Sequence, residues 1–384
     1  MFENLDDLYL NEDLKMIRHT LRRFVDTEIK PFGEQWEEQG MVPRAIFKKL
    51  GELGLLAMSF PHDSGGMNLG ALASMLLSEE LGRSTFGGVM ASISVHTDMS
   101  ASHIARHGND YLQQKYMPDI ISGDKICGVA VTEPDAGSDV AGLKTSAKKL
   151  GGNYSLSGSK MFITNGIHGD LYVVAARTDP DAKGSRGISL FLLEKGMPGF
   201  SVSQPLKKTG WLSSDTAQLF FDDVLVPAEN LIGEVNKGFY YIMQGFQLER
   251  ICVGGQCIGQ SETALTLTLD WLKSRNAFGR TLWDLQSIKQ EMAKMLSELS
   301  AAKQLAYYTA YRDSQGKDAL MLACQVKSHL PELMNEIMYK CVQFHGGMGY
   351  MRETAVERMS RDARILAIGG GATEVMLQEV AKRM

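Results

Sequence analysis

A carboxylate set into an otherwise apolar helix face is the pattern in this chain with the clearest chemical consequence. Wound at about 3.6 residues per turn, the segment Gln247-Leu-Glu-Arg250 and its surroundings bring Ile242, Gly245, Phe246, Cys252, Val253 and Gln256 beside Glu249, and only Gln256 among them is strongly polar. Burying a charge is costly. Burial also raises a carboxylate's pKa toward the range of a working base, so Glu249 is a candidate general base. A solvent channel, or pairing with a distant arginine, would account for the same pattern without chemistry. Two other segments expose hydroxyls at strand ends. Val129-Ala-Val-Thr-Glu-Pro-Asp-Ala-Gly-Ser-Asp139 delivers Thr132, then a Pro/Gly turn that exposes Ser138 and backbone N–H groups; Phe162-Ile-Thr-Asn-Gly166 ends on Thr164. Two strand-end threonines suit one planar polar ligand, although plain turns also produce such loops. His103 and His107 stand i, i+4 with no third ligand nearby, so they read as helix residues and no metal is expected. There is no GxGxxG, Walker A loop or GxSxG elbow.

The elements that must position these residues follow from patterning. The 384 residues suggest two to three domains. With 44% hydrophobic and 22% charged residues the chain has a globular composition, and its net charge of −5 argues against a nucleic-acid groove. No run approaches the ~18 apolar residues of a membrane span. The acidic, promptly helical N-terminus reads as neither signal nor transit peptide. The five cysteines, with no CxxC, read as reduced thiols of a cytoplasmic compartment. Leu14, Ile17, Leu21, Phe24 and Val25 recur at helical spacing until Pro31, and further helices are expected over 71–81 and 90–106. From Cys127 the runs CGVAVT, NYSLSG, LYVVAAR, GISLFLLE, GFSVSQ and AQLFFDDV read as short strands. After Pro227 no proline occurs until Pro331, which predicts long helices. Leu285, Ile288, Met292, Met295, Leu299, Ala302, Ala306 and Thr309 form a 3-4-3-4 seam that suits either a bundle core or a subunit interface. The expected fold is multidomain α+β: an N-terminal all-α domain over 1–126, a central β-barrel or sandwich-like domain over 127–227, and a C-terminal four-helix bundle over 228–384.

Taken in order, these segments resemble the acyl-CoA dehydrogenase family over nearly the whole chain. VTEPDAGSD is similar to the family's first signature, and Gln343-Phe-His-Gly-Gly-Met-Gly-Tyr350 to its C-terminal glycine-rich one. Arg275-Asn-Ala-Phe-Gly279 and Gln286 also match. Asn236-Lys-Gly-Phe-Tyr-Tyr-Ile-Met243, followed by Leu248-Glu-Arg250, most resembles the long-chain and isovaleryl branches. The resemblance implies FAD-dependent α,β-dehydrogenation of acyl-CoA thioesters, with electrons passed to electron-transfer flavoprotein. It implies FAD contacts from Val129, Val131, Thr132, Gly137, Ser138, Phe162, Ile163, Thr164, Arg275, Phe278, Gln286, Gln343, Gly346, Gly347, Thr373 and Glu374. Substrate contacts are implied for Ser138, Tyr240, Gln247, Leu248, Arg250 and Gly370. The backbone N–H of Gly371 is implied as a donor to the thioester oxygen, and a homotetramer is implied in which Arg275 and Gln343–Gly347 reach a neighbour's cofactor.

Departures from the family pattern carry information. Many members place the base in an E-G-T turn near the C-terminus; here Ile368-Gly-Gly-Gly-Ala-Thr-Glu374 puts Gly370 there. The long-chain and isovaleryl branches place it on the bundle helix, where Glu249 matches. Phe162 stands where tryptophan is common, and Ala372 lacks the usual threonine hydroxyl, for which Thr373 or Glu374 could compensate. Gly370 is expected to leave open volume beside Cα and Cβ, and hence to admit medium-to-long or branched acyl chains. A flavin oxidase or monooxygenase, and a non-catalytic flavin-binding assembly protein, are the alternatives.

Overall fold

The computed structural model describes Phe2 and Asn4–Met384. It opens with helices α1 Asp6–Tyr9, α2 Glu12–Phe24, α3 Gly33–Gln39, α4 Arg44–Glu52, α5 Gly70–Gly82, α6 Gly87–Ser94, α7 Ser102–His107 and α8 Asp110–Ile121. Asn11 starts α2 by accepting a hydrogen bond from the Leu14 N–H, and Asn109 does the same for α8 through Leu112. The expected helix over 90–106 is α6 and α7 joined through a π-helical stretch, Val95–Ala101.

Strands β1 Cys127–Ala130, β2 Ser146–Leu150, β3 Asn153–Thr164, β4 Leu171–Arg177, β5 Ile188–Glu194, β6 Phe200–Val202, β7 Thr216–Pro227 and β8 Leu231–Ile232 follow. They form one eight-stranded sheet in the order β6-β7-β3-β2-β4-β5-β8, with β1 parallel to β4. β2 is absent from the sequence reading because Ser-Ala-Lys-Lys-Leu has three exposed residues at its end and no apolar run. β4 and β5 are buried on both faces, which is why they read as continuous apolar runs rather than alternating ones. Val173, Ala175, Leu190 and Leu192 pack toward α8, while Val174, Ala176, Phe191 and Leu193 pack toward Leu156, Leu219 and Val224 of β3 and β7.

The remaining helices are α9 Gly238–Ser274, α10 Gln286–Ser314, α11 Leu320–His345, α12 Ala355–Ala363 and α13 Thr373–Ala381; a short hairpin, β9 Asn276–Ala277 and β10 Arg280–Thr281, links α9 to α10. The long helices predicted after Pro227 are present, and α11 continues through Pro331. The seam on α10 is a core stripe: Met292, Met295, Leu299, Ala302, Ala306 and Thr309 are buried within this one chain, so it lends no support to a subunit interface.

The first and last thirds of the chain share one hydrophobic core. α5 lies directly on α9 because α9 carries glycines at the crossing. A Cβ on Gly255 would stand 2.4 Å from the Met75 carbonyl oxygen, and one on Gly259 2.0 Å from that of Glu79. Asn165, just past β3, locks the helices to the sheet. It holds a left-handed backbone (φ 58°), which asparagine tolerates. Its Nδ2 donates to the carbonyls of Ser92 on α6 (2.9 Å) and Cys127 on β1 (3.0 Å).

Asn165→Ala removes the partners of two buried carbonyls at once. We expect a loss of about 2–4 kcal/mol, read as a lowered thermal unfolding midpoint; an unchanged midpoint would show that water replaces the amide without penalty.

Candidate active site

Glu249 lies one and a half turns before the α5–α9 crossing, and its side chain is 9% exposed. It makes no hydrogen bond or salt bridge among the described residues. Burial pushes its pKa up, and the positive charges of Lys327 and Arg250 restrain that rise. The carboxylate points at the C-terminal glycine turn: a Cβ on Gly370 would stand 2.3 Å from Glu249 Oε1. The volume expected to be open at Gly370 is therefore occupied by the Glu249 carboxylate itself. Gly371 opens no space either, since a Cβ there would meet Met376 Cε at 2.7 Å. Both glycines hold positive φ, 66° and 105°, and the Gly371 N–H makes no hydrogen bond among the described residues.

Lys327, which sequence reasoning passed over, stands beside the same glycine, its Cε 3.7 Å from where a Gly370 Cβ would lie. It is fully buried on α11, and its Nζ donates to the carbonyls of Leu366 and Gly371, each at 2.7 Å. Burial lowers its pKa to about 8 against the pull of Glu249. The available signal was a lysine at helical spacing with the apolar Ala323, Leu330 and Met334. A Cβ on Gly254 of α9 would meet Val326 Cγ1 at 2.6 Å, and this close crossing brings Lys327 to the same place as Glu249.

The two strand-end segments are brought side by side, because the Met161 N–H donates to the Thr132 carbonyl (2.9 Å). Phe162 sits where the β3–β7 register slips, with φ 62° and its ring 65% exposed. Ile163 is buried and Thr164 half-buried. Thr132, Ser138 and Thr164 leave their hydroxyls without a hydrogen bond among the described residues; Gly137 and Ser138 are exposed, Val129 half-buried and Val131 buried. A ring-presenting bulge flanked by unengaged hydroxyls fits a flat polar group such as a flavin, so the residues present fit FAD. The strand end is itself braced. Lys160 Nζ donates to the Val131 carbonyl (2.9 Å) and to Glu133 Oε1 (2.8 Å), and Glu133 accepts from the backbone N–H groups of Lys144 and Thr145. Burial would raise Glu133, but Lys160 holds it below the usual carboxylate range; burial lowers Lys160 to about 8.

A second group of the expected cofactor residues lies elsewhere. Arg275, Phe278, Gln286, Gln343, Gly346 and Gly347 are all exposed on the helical bundle. Trp271 Nε1 donates to the Phe344 carbonyl (3.2 Å), which joins the end of α9 to the end of α11. Phe278 is 93% exposed, held out by the hairpin turn in which it and Gly279 both have positive φ. Thr373 turns its hydroxyl to Glu332 (2.7 Å), Glu374 is exposed, and Ala372 begins α13 without a side-chain cap.

Among the expected substrate residues, Leu248 is buried and Tyr240 is half exposed beneath the Lys237 ammonium. Gln247 donates to Asp313 of α10. Arg250 is buried against Cys324 (3.5 Å), with its Nε lacking a partner. His103 is buried against Gly245 and His107 stacks on Tyr241 (4.1 Å), so the two imidazoles are taken up by packing.

Helices, sheet and helices follow in this order, and a buried carboxylate faces a glycine turn. The comparisons agree. Acyl-CoA dehydrogenase N-terminal, middle and C-terminal domain descriptions match residues 11–124, 128–224 and 236–384. The chain is 36% identical over 370 residues to the mitochondrial long-chain specific acyl-CoA dehydrogenase of Rattus norvegicus, covering 96% of this chain and 86% of that one. It is equally 36% identical to the isovaleryl-CoA dehydrogenase of Pongo abelii (95% and 87% covered) and to the short-chain specific acyl-CoA dehydrogenase of Clostridium acetobutylicum (96% and 97%). Among solved structures, an acyl-CoA dehydrogenase from Geobacillus kaustophilus superposes with a TM-score of 0.94 at 37% identity, covering 98% of each chain. A structure described as electron transferring flavoprotein of Acidaminococcus fermentans gives 0.93 at 35% (97% and 98% covered), and PigA with FAD and proline gives 0.93 at 26% (97% and 98%). The chain belongs to the acyl-CoA dehydrogenase family and is an oxidoreductase.

Gly370→Ala places a methyl group where the Glu249 carboxylate now stands, on a left-handed backbone. With FAD still bound, turnover should drop about 10²-fold, the order expected when a reacting group is misplaced by about an ångström. A change under about threefold would mean the carboxylate does not work from this position.

Proposed function

We propose that this chain removes the α-proton and β-hydrogen of acyl-CoA thioesters with Glu249 as base, FAD as acceptor and electron-transfer flavoprotein as the onward partner. The observation that carries the proposal is the Glu249 carboxylate filling the space above Gly370. Glu249 takes the α-proton onto a carboxylate oxygen and leaves the C–H electron pair on Cα. Charge then grows on the thioester oxygen, where the unengaged Gly371 N–H supplies a donor; donors aimed at developing charge are strong contributors in a site screened from water. A bound FAD would supply the acceptor for the β-hydrogen and its electron pair, leaving the trans-2-enoyl thioester as product. Phe162, Thr132, Thr164 and Ser138 would hold the flavin, with Val129, Val131, Gly137 and Ile163 shaping the strands that carry them. Arg250 faces the CoA portion next to the base, and Tyr240, Gln247 and Leu248 line the approach.

Medium-to-long or branched acyl chains are the proposed substrates. The support is the base's place on α9, as in the long-chain and isovaleryl branches, and no longer any open volume at Gly370. A panel of acyl-CoAs decides it: butyryl-CoA outpacing octanoyl-, decanoyl- and branched esters alike would overturn the preference. Cells with reduced thiols suit the five buried, unpaired cysteines. Among the described residues no helix is long and apolar enough to cross a membrane.

Glu249→Gln should keep FAD and bind acyl-CoA while losing about 10²–10⁴-fold in turnover. In the wild type, the base works ionised and its pKa is raised, so turnover should climb with pH through a limb lying above the ordinary carboxylate range. A loss under about threefold would remove Glu249 from the mechanism. Slow reoxidation of the reduced flavin in air supports a dehydrogenase; rapid reoxidation would favour an oxidase.

We also propose a homotetramer in which Arg275, Phe278, Gln286, Gln343, Gly346 and Gly347 complete a neighbour's FAD site. The support is their exposure on the helical bundle, with the apolar rings of Phe278 and Tyr350 turned to solvent. Light scattering of the FAD-loaded protein should give four times 42.3 kDa. A monomer with a full complement of FAD would overturn this.

A further inference from the structure

Two buried cations, Arg250 and Lys327, lie near Glu249, and the mechanism above gives Lys327 no role. Its ammonium makes no salt bridge among the described residues. Both of its hydrogen bonds go to the C-terminal turn, one to each end: the Leu366 carbonyl where the turn begins and the Gly371 carbonyl where it closes. Between these anchors lie Gly369 and Gly370, residues with no side chain to hold them. Gly370 and Gly371 adopt positive φ, and among the described residues the other side-chain donor to this stretch is the Thr373 hydroxyl, 3.4 Å from the Ala367 carbonyl. On its near side the Lys327 Cε stands 3.7 Å from the point where a Gly370 Cβ would lie, and Glu249 Oε1 stands 2.3 Å from the same point. One side chain therefore touches the turn that supplies the oxyanion donor and flanks the base.

We infer that Lys327 is a positioning residue for dehydrogenation: it fixes the Leu366–Gly371 turn so that the Gly371 N–H meets the thioester oxygen, and its charge favours the ionised form of Glu249. This rests on the assignment of Glu249 and Gly371 above. The two effects serve the same step, because α-proton removal needs an ionised base and a donor for the charge that results. Other titratable groups around the pair are Arg250 and Cys252 on the base's own helix, Asp98 beyond Cys252, and Cys257 and Glu332 facing Lys327. None of them bonds to the turn between Leu366 and Gly371.

The test uses FAD-loaded Lys327→Met and Lys327→Gln. Methionine removes both charge and donors. Glutamine removes the charge but keeps an N–H group for the turn. Each is assayed for kcat and KM across pH. Each is also titrated with a 3-thiaacyl-CoA, whose sulfur replaces Cβ: its α-proton can leave but it has no β-hydride to lose, so the absorbance change reads deprotonation without turnover. Lys327→Met should lower kcat about 10²-fold while KM moves less than about threefold. Both variants should shift the rising pH limb, in turnover and in the 3-thia titration, upward by about one unit or more. Lys327→Gln should keep more of kcat than Lys327→Met. Unshifted limbs in variants that hold FAD would overturn the inference, as would two variants that fail to hold FAD, which would make Lys327 a folding residue. If instead wild type neither turns over any acyl-CoA nor responds to the 3-thia ester, the functional assignment itself fails, a result separate from any property of Lys327.

Discussion

Taking a carboxylate out of water costs several kcal/mol unless nearby charge or donors compensate, and Glu249 is out of water with no direct partner. Conventional stabilisation would pair it with an arginine or cap it with backbone N–H groups, and either would weaken it as a base. The chain instead surrounds it with charges set back from contact, Arg250 on its own helix and Lys327 beside Gly370. The result is a raised but restrained pKa, which is what a base needs if it is to be both ionised and strong.

That compromise depends on close backbone packing. Lys327 reaches Gly370 because α9 and α11 cross at Gly254, and α9 is held against α5 by Gly255 and Gly259. Side chains at these three positions would push the helices apart and pull the lysine from the turn. The turn must in turn be glycine, since the Glu249 carboxylate occupies the space a Cβ would need. Base, helix crossing and turn are one steric unit, built from residues far apart in sequence.

The flavin side is held by a different device. Its strand ends are fixed by buried polar side chains: Asn165 ties them to α6, and Lys160 with Glu133 props the loop that follows β1. Each of these groups makes two or more hydrogen bonds, as buried polar groups need partners. The groups left unengaged, Thr132, Ser138, Thr164 and the ring of Phe162, are those that face outward. The contrast between satisfied supports and unsatisfied outward groups distinguishes a site from a merely irregular loop.

Much of this was legible in the chain itself. Helical and strand periodicities located the helices, the sheet and the long bundle helices, because period depends on local geometry alone. Glu249 was legible because a carboxylate on an apolar stripe is an energetic anomaly visible in one dimension. β2 was not, since its charged residues carry no apolar alternation, and neither was the α10 seam, whose pattern is the same for a core and an interface. Tertiary structure alone decided what filled the space at Gly370. The glycine read as a vacancy, and the fold put the Glu249 carboxylate in it, because a side chain's absence says nothing about which distant group will occupy the room it leaves. Lys327 shows the same limit: its position in an apolar stripe could be read from sequence, but its partners are backbone carbonyls some forty residues away, and only the folded chain brings them within reach.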